Sequence, residues 1–158
     1  MLMLPLPAFV ALVLGYLAIR SFAFGERPMI GVFLSACAMQ ALAVALVGGY
    51  YIDALRPVLP VSATLIPALA WITFRTSLYA QSKPRDIALH LTAPLFTLFC
   101  RVFAPQTLDV VVLMIFLGYG AAILLRLRNS SDVPLARLDA GELTTVIWKT
   151  LGWVLIAS

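Results

Sequence analysis

The chain's one histidine, His90, follows Asp86 by four residues. On a helix that spacing puts both side chains on one face, where the carboxylate favours the imidazolium. Two chemistries fit the pair. One is a pH-sensitive site. The other, simpler and favoured, is a histidine held at a membrane interface by its neighbour. Arg85 precedes Asp86, with Lys83 and Arg75 nearby, so the stretch is a cationic elbow with a single acid; Trp71 stands one turn before Arg75. A second lone charge, Lys149, lies between Trp148 and Trp153 in the last apolar run. Helical rise places it roughly 9 Å into that run. An ammonium there either snorkels to the interface or faces a polar pocket, holding an anionic ligand or a carboxylate; snorkelling is favoured. One histidine and two separated cysteines, Cys37 and Cys100, cannot assemble a zinc or bis-histidine haem site, so no metal or other cofactor is expected. No nucleophile–base pair can be assembled either, so an enzyme is not expected.

The acids Glu26, Asp53, Asp86, Asp109, Asp132, Asp139 and Glu142 all fall at the ends of apolar runs or between them. Ion-coupled carriers need a carboxylate in mid-bilayer, so that class is disfavoured. Arg101 and Asp109 are placed to pair across a turn, an exposed contact worth little.

The elements that must position these residues are written in the composition. Of 158 residues, 63% are hydrophobic and 11% charged, against about a quarter charged in soluble domains. A bilayer is the solvent that suits this balance, and a span needs about 20 apolar residues. The apolar runs cover about 4–23, 29–51, 58–79, 84–103, 108–127 and 143–158. The expectation is an all-α, polytopic transmembrane helical bundle over 1–158, with five complete spans and a short or partial sixth. The opening residues lack a basic flank and read as a retained span. Cys37, Ala41, Ala45 and Gly49 fall four apart, a small-residue stripe suited to close helix packing in lipid. Gln40 beside it reads as a packing hydrogen bond. Pro60 and Pro67 interrupt the third run and Pro94 the fourth. Kinks are expected at Pro67 and Pro94, with Ser62 and Thr64 satisfying freed backbone groups. Gly118 and Gly120 mark another close-packing point. The polar stretch from 128 to 142 reads as a loop, and the short sixth run as the end of a fragment of a longer protein.

Lysine and arginine are shared unevenly between the two sides. Arg20, Arg27, Arg75, Lys83, Arg85, Arg126, Arg128 and Arg137 fall on one side, Arg56 and Arg101 on the other. The positive-inside rule then puts the N-terminus outside and the elbow in the cytoplasm. Cys37 and Cys100 lie at different depths in that topology, so no disulfide is expected. Arg126 and Arg128 read as topology determinants, with contact to anionic headgroups as the alternative.

The order Pro67, Trp71-x-x-Phe74-Arg75, Arg85-Asp86, His90-Leu-x-x-Pro94, Leu108-Asp109, Gly118-Tyr119-Gly120 and Leu124-Leu125-Arg126-Leu127 resembles the membrane-embedded N-terminal half of AraC/XylS-type transcriptional regulators. The resemblance implies a sensor domain in the bacterial inner membrane, working as a homodimer. It would pass a signal, such as a small-molecule or lipid ligand, to a cytoplasmic helix-turn-helix domain. That DNA-binding domain is absent from this chain, so DNA would be a partner only through it. The residues expected to sense or couple are Trp71, Arg75, Arg85, Asp86, His90 and Lys149. The alternative is a small multi-span carrier or channel subunit, with the second-span stripe and Lys149 lining an interface or path.

Overall fold

The first two helices have almost no polar surface. In α1 (Leu6–Phe24) Arg20 is the one charge, and α2 (Pro28–Gly48) has none. A helix apolar all round needs apolar surroundings on every side. The computed structural model describes residues 5–24, 28–78, 88–129 and 141–157, and the elements among them are all helical. Three helical stretches, Leu6–Phe24, Pro28–Gly48 and Pro105–Arg128, are long and apolar enough to cross a membrane. Large side chains such as Leu6, Phe9, Leu12, Tyr16 and Ile19 point outward from α1, a surface that suits lipid and would aggregate in water.

α1 and α2 form the most intimate pair in the bundle. Ala8, Ala11 and Ala18 are the buried residues of α1. They fall on one face of the helix. A methyl at Gly49 would come 2.6 Å from Pro5 Cγ, and one at Gly31 2.8 Å from the Phe22 ring. These two contacts, one near each end, set the register of an antiparallel hairpin. Backbones meet this closely only where side chains are small, which is how helices associate without a hydrophobic driving force. Of the expected stripe on α2, Ala45 is buried and Gly49 meets Pro5, while Cys37 and Ala41 are half-covered. The end of α2 turns through Tyr51 at φ 56°. The Ile52 N–H returns to the Leu46 carbonyl at 3.0 Å, satisfying an end group the helix leaves open.

A 3₁₀ turn, Asp53–Leu55, leads to α3 (Leu59–Leu78), which packs against α2 and against two later helices. Thr64, Pro67, Ala68, Ala70, Ile72, Thr73 and Phe74 are buried along it. Its hydroxyls bond its own carbonyls, Thr64 to Val61 at 2.8 Å and Thr76 to Ile72 at 3.0 Å, and Thr73 reaches Met29 of α2 at 3.4 Å. Gln40 Nε2 donates to the Leu59 carbonyl at 3.4 Å, leaving its buried Oε1 without a partner among the described residues. Two expectations are corrected here. Pro60 lies in the first turn of α3, where a missing N–H is harmless, so only Pro67 falls inside the helix. Pro67 removes the N–H that would bond the Ala63 carbonyl, yet Ser62 bonds Val58 and Leu59, and Thr64 bonds Val61. Neither hydroxyl serves the freed group.

The fourth run is also corrected. A helical turn over 88–90 is followed by a break at Leu91, then by α4 (Thr92–Phe103). Pro94 sits in the first turn of α4. It has no N–H for the His90 carbonyl, so the helix breaks one turn earlier. Leu91 N–H bonds the Ala88 carbonyl at 3.2 Å, and Thr92 Oγ1 caps Leu89 at 2.6 Å. The remainder of the run, including the elbow at 81–86, lies outside the described residues.

A second 3₁₀ turn, Pro105–Thr107, opens α5 (Leu108–Asn129), and α6 (Gly141–Ala157) packs along α5. Arg101 and Asp109 do not pair; Arg56 and Asp53 form an exposed bridge at 3.3 Å. Gly120 faces Gly152 across the α5–α6 crossing. A methyl on Gly120 would lie 2.9 Å from the Gly152 carbonyl oxygen. Gly118, two residues earlier, meets nothing within 4 Å, so only Gly120 is a packing glycine. Ala70 and Phe74 of α3, Ile123 of α5, and Trp148 and Leu155 of α6 form the core. The Phe74 ring meets Trp148 edge-on at 5.3 Å and 72°.

Candidate functional site

Two stripes build the site. On α3, Trp71, Phe74 and Arg75 fall at i, i+3 and i+4, one helix face. On α5, Ile115, Tyr119, Ala122 and Arg126 do the same over three turns. The two helices run parallel. Pro60 shares a groove with Asp109, Trp71 with Tyr119, and Arg75 with Arg126. The break before α4 brings in a third element at the Trp71 level, carrying His90.

His90 Nδ1 lies 3.0 Å from the Tyr119 hydroxyl. Its ring is 5.6 Å from Tyr119 and 6.0 Å from Trp71, tilted 58° to each, and Trp71 stands 5.8 Å from Phe74. A neutral imidazole accepts the Tyr119 proton when its hydrogen is on Nε2 and donates when it is on Nδ1, whereas an imidazolium donates to the phenol oxygen. The contact therefore survives protonation, and one polar link ties the turn before α4 to α5, with Trp71 of α3 stacked against it.

Trp71 lines two clefts at successive levels of the seam. At the deeper level, Trp71, His90, Met114, Ile115, Gly118, Tyr119 and Ala122 line a shallow groove of about 290 Å³. Nearer the helix ends, Trp71, Phe74, Arg75 and Arg126 line a cleft of about 300 Å³. Arg75 and Arg126 also make other interactions within the chain, and a guanidinium has five N–H donors to share. A larger groove of about 380 Å³, lined by Pro60, Asp109, Val112, Leu113 and Phe116, opens at the other end of the same seam.

Of the residues expected to sense or couple, Trp71, Arg75 and His90 come together here. Arg85 and Asp86 lie outside the described residues, and with them the Asp86–His90 pair. Lys149 stands apart. It is exposed on α6 beside Trp148, whose ring turns inward to Phe74, so it lines none of these clefts. The sequence reading missed Tyr119, and it favoured Arg126 as a topology determinant over a contact with anionic headgroups. The available signal was the stripe at 115, 119, 122 and 126, readable only once α5 is known to lie beside α3. Among the described residues, no group of three or more His, Cys, Asp or Glu could hold a metal ion.

No protein-family model, curated protein or solved structure matches the chain. The resemblance to AraC/XylS-type regulators therefore rests on the sequence pattern alone.

Proposed function

We propose that this chain is the membrane sensor domain of a one-component transcriptional regulator in the bacterial inner membrane. It would couple a signal in or at the bilayer to a cytoplasmic helix-turn-helix domain carried elsewhere in a longer protein, acting as a dimer. In this reading five spans and a sixth cross the bilayer, with the N-terminus outside. The uneven sharing of lysine and arginine supports that orientation. The 20 residues of α3 reach about 30 Å by helical rise, enough for the hydrocarbon core.

The observation that carries the proposal is the Trp71–His90–Tyr119 cluster. It joins α3, the turn before α4, and the middle of α5, two turns deeper in the bundle than Arg126. It also sits beside the break at Leu91, where a helix gives way most easily. A signal that favours one arrangement of these three segments shifts the balance between two states of the bundle.

Two experiments test this. The coding sequence beyond Ser158 is expected to encode a seventh span and a basic helical domain; a stop codon there overturns the regulator. A single cysteine at Ser82 in a Cys37→Ala/Cys100→Ala background is expected to resist an impermeant thiol reagent in intact cells. Labelling from outside reverses the topology and removes the signalling route.

A further inference from the structure

The cleft between Arg75 and Arg126 and the groove beside His90 share Trp71, and their order along the helix axis has a chemical meaning. Arg126 lies seven residues, two turns or about 10 Å, beyond Tyr119 on α5. Arg75 lies one turn beyond Trp71 on α3. The cationic cleft is thus near the helix ends, and the apolar groove lies deeper along the same seam. That is the profile of a phospholipid in one leaflet, headgroup at the rim and chains running inward.

We propose that this seam is a binding site for an anionic phospholipid. The phosphate lies in the cleft between Arg75 and Arg126, and an acyl chain lies along Trp71, Ile115, Gly118 and Ala122. The two guanidiniums come from different helices into one cleft, and their planar forks match phosphate oxygens better than ammonium groups do. Trp71 and Phe74 complete the lining of the cleft, and tryptophan suits the interfacial depth where aromatic belts sit. Gly118 leaves the groove open where a side chain would fill it, since a methyl there meets nothing within 4 Å. Taken together, the cleft and groove have the size of small-molecule sites, about 300–1,000 Å³. Bound lipid would press on the wall that Trp71 shares with His90. The proposal requires the bundle to sit in a bilayer but not that it regulate transcription.

The test uses the intact chain purified in mild detergent, with mixed phosphatidylglycerol and phosphatidylcholine, and native mass spectrometry as readout. Wild type is expected to retain phosphatidylglycerol over phosphatidylcholine by at least about tenfold. Arg75→Gln/Arg126→Gln is expected to lose that preference while Arg20→Gln, outside the cleft on α1, keeps it. Gly118→Leu fills the groove without touching the charges. It is expected to weaken phosphatidylglycerol retention and to leave any effect of added inorganic phosphate unchanged. Equal retention of the two lipids by wild type overturns the site, as does full preference in the double glutamine variant. Displacement by inorganic phosphate together with an indifferent Gly118→Leu would mean a free-anion site and would also overturn it. If the double variant does not fold, the Gly118→Leu result and the phosphate competition decide the matter. None of these outcomes bears on the coding sequence beyond Ser158, so failure here and failure of the regulator reading can be told apart.

Discussion

Two alanine substitutions on one helix, two residues apart, should have opposite effects. At Gly120 the added methyl would lie 2.9 Å from the Gly152 carbonyl oxygen, 2.9 Å from Ile156 Cγ1 and 3.3 Å from Leu155 Cβ. Carbon atoms in contact settle at about 3.5–4.0 Å, so Ile156 must retreat by roughly 0.6 Å or more. Ile156 can turn, but the Gly152 oxygen is backbone and moves only if α5 and α6 separate. Overpacking of this kind costs about 1–3 kcal/mol. At Gly118 the same methyl meets nothing, and alanine is a better helix former than glycine by up to about 1 kcal/mol. Gly120→Ala should therefore unfold earlier than wild type in a mixed-micelle denaturant titration, and Gly118→Ala should match or exceed wild type. The comparison controls for backbone entropy, since both changes remove the same glycine freedom. If the two variants unfold together, α5 and α6 do not cross at Gly120 and Gly152, and the packing argument fails.

Other substitutions test the remaining joints. Tyr119→Phe deletes the 3.0 Å bond to His90 and should lower stability by about 1 kcal/mol, read as a small fall in Tm with helix content unchanged by circular dichroism. Phe74→Ala empties a fully buried site and leaves Trp148 without its edge-on partner. A loss of about 3–5 kcal/mol is expected, with a shift in tryptophan fluorescence. Gly49→Ala should cost more than Gly31→Ala. At Gly49 the methyl strikes the Pro5 ring and the Ala45 carbonyl, whereas at Gly31 it strikes the end of a Phe22 ring that can swing away. The order of the two Tm values checks this.

How far the sequence could be read depended on how local each feature is. Long apolar runs mark α1, α2 and α5, and their helical bounds fall within a few residues of the expected ones. The α2 stripe was visible because its members fall at one fixed interval. The α1 seam at 8, 11 and 18 was equally present, but its uneven steps hide it. The break at Leu91 was placed at Pro94. Proline's missing N–H is felt four residues earlier, at the His90 carbonyl, and a proline in the first turn of a new helix is harmless. The site was half legible. Trp71, Arg75 and His90 belong to the elbow pattern, but Tyr119 meets His90 from 29 residues away, and no local signal announces that contact. Arg126 acquires a second role only because α3 and α5 are parallel neighbours, and connectivity alone does not say so.

The placement of α3 explains why the site is where it is. In lipid, a helix apolar all round can afford to face outward, and α1 and α2 do so. A helix with hydroxyls, an arginine and an internal proline is better enclosed, away from lipid, with its hydroxyls bonded within the helix or to a neighbour. α3 is that helix, and Thr64, Thr73 and Thr76 each bond a carbonyl. Enclosure also sets its mechanics. Pro67 leaves one backbone bond unmade a single turn below Trp71, and the chain breaks at Leu91 beside His90. The aromatic link among Trp71, His90 and Tyr119 is thus held from two weakened points, whereas Tyr119 stands on an α5 that runs unbroken from Leu108 to Asn129. Movement at this seam should carry Trp71 and His90 against a fixed Tyr119, with the unbroken α5 as the reference.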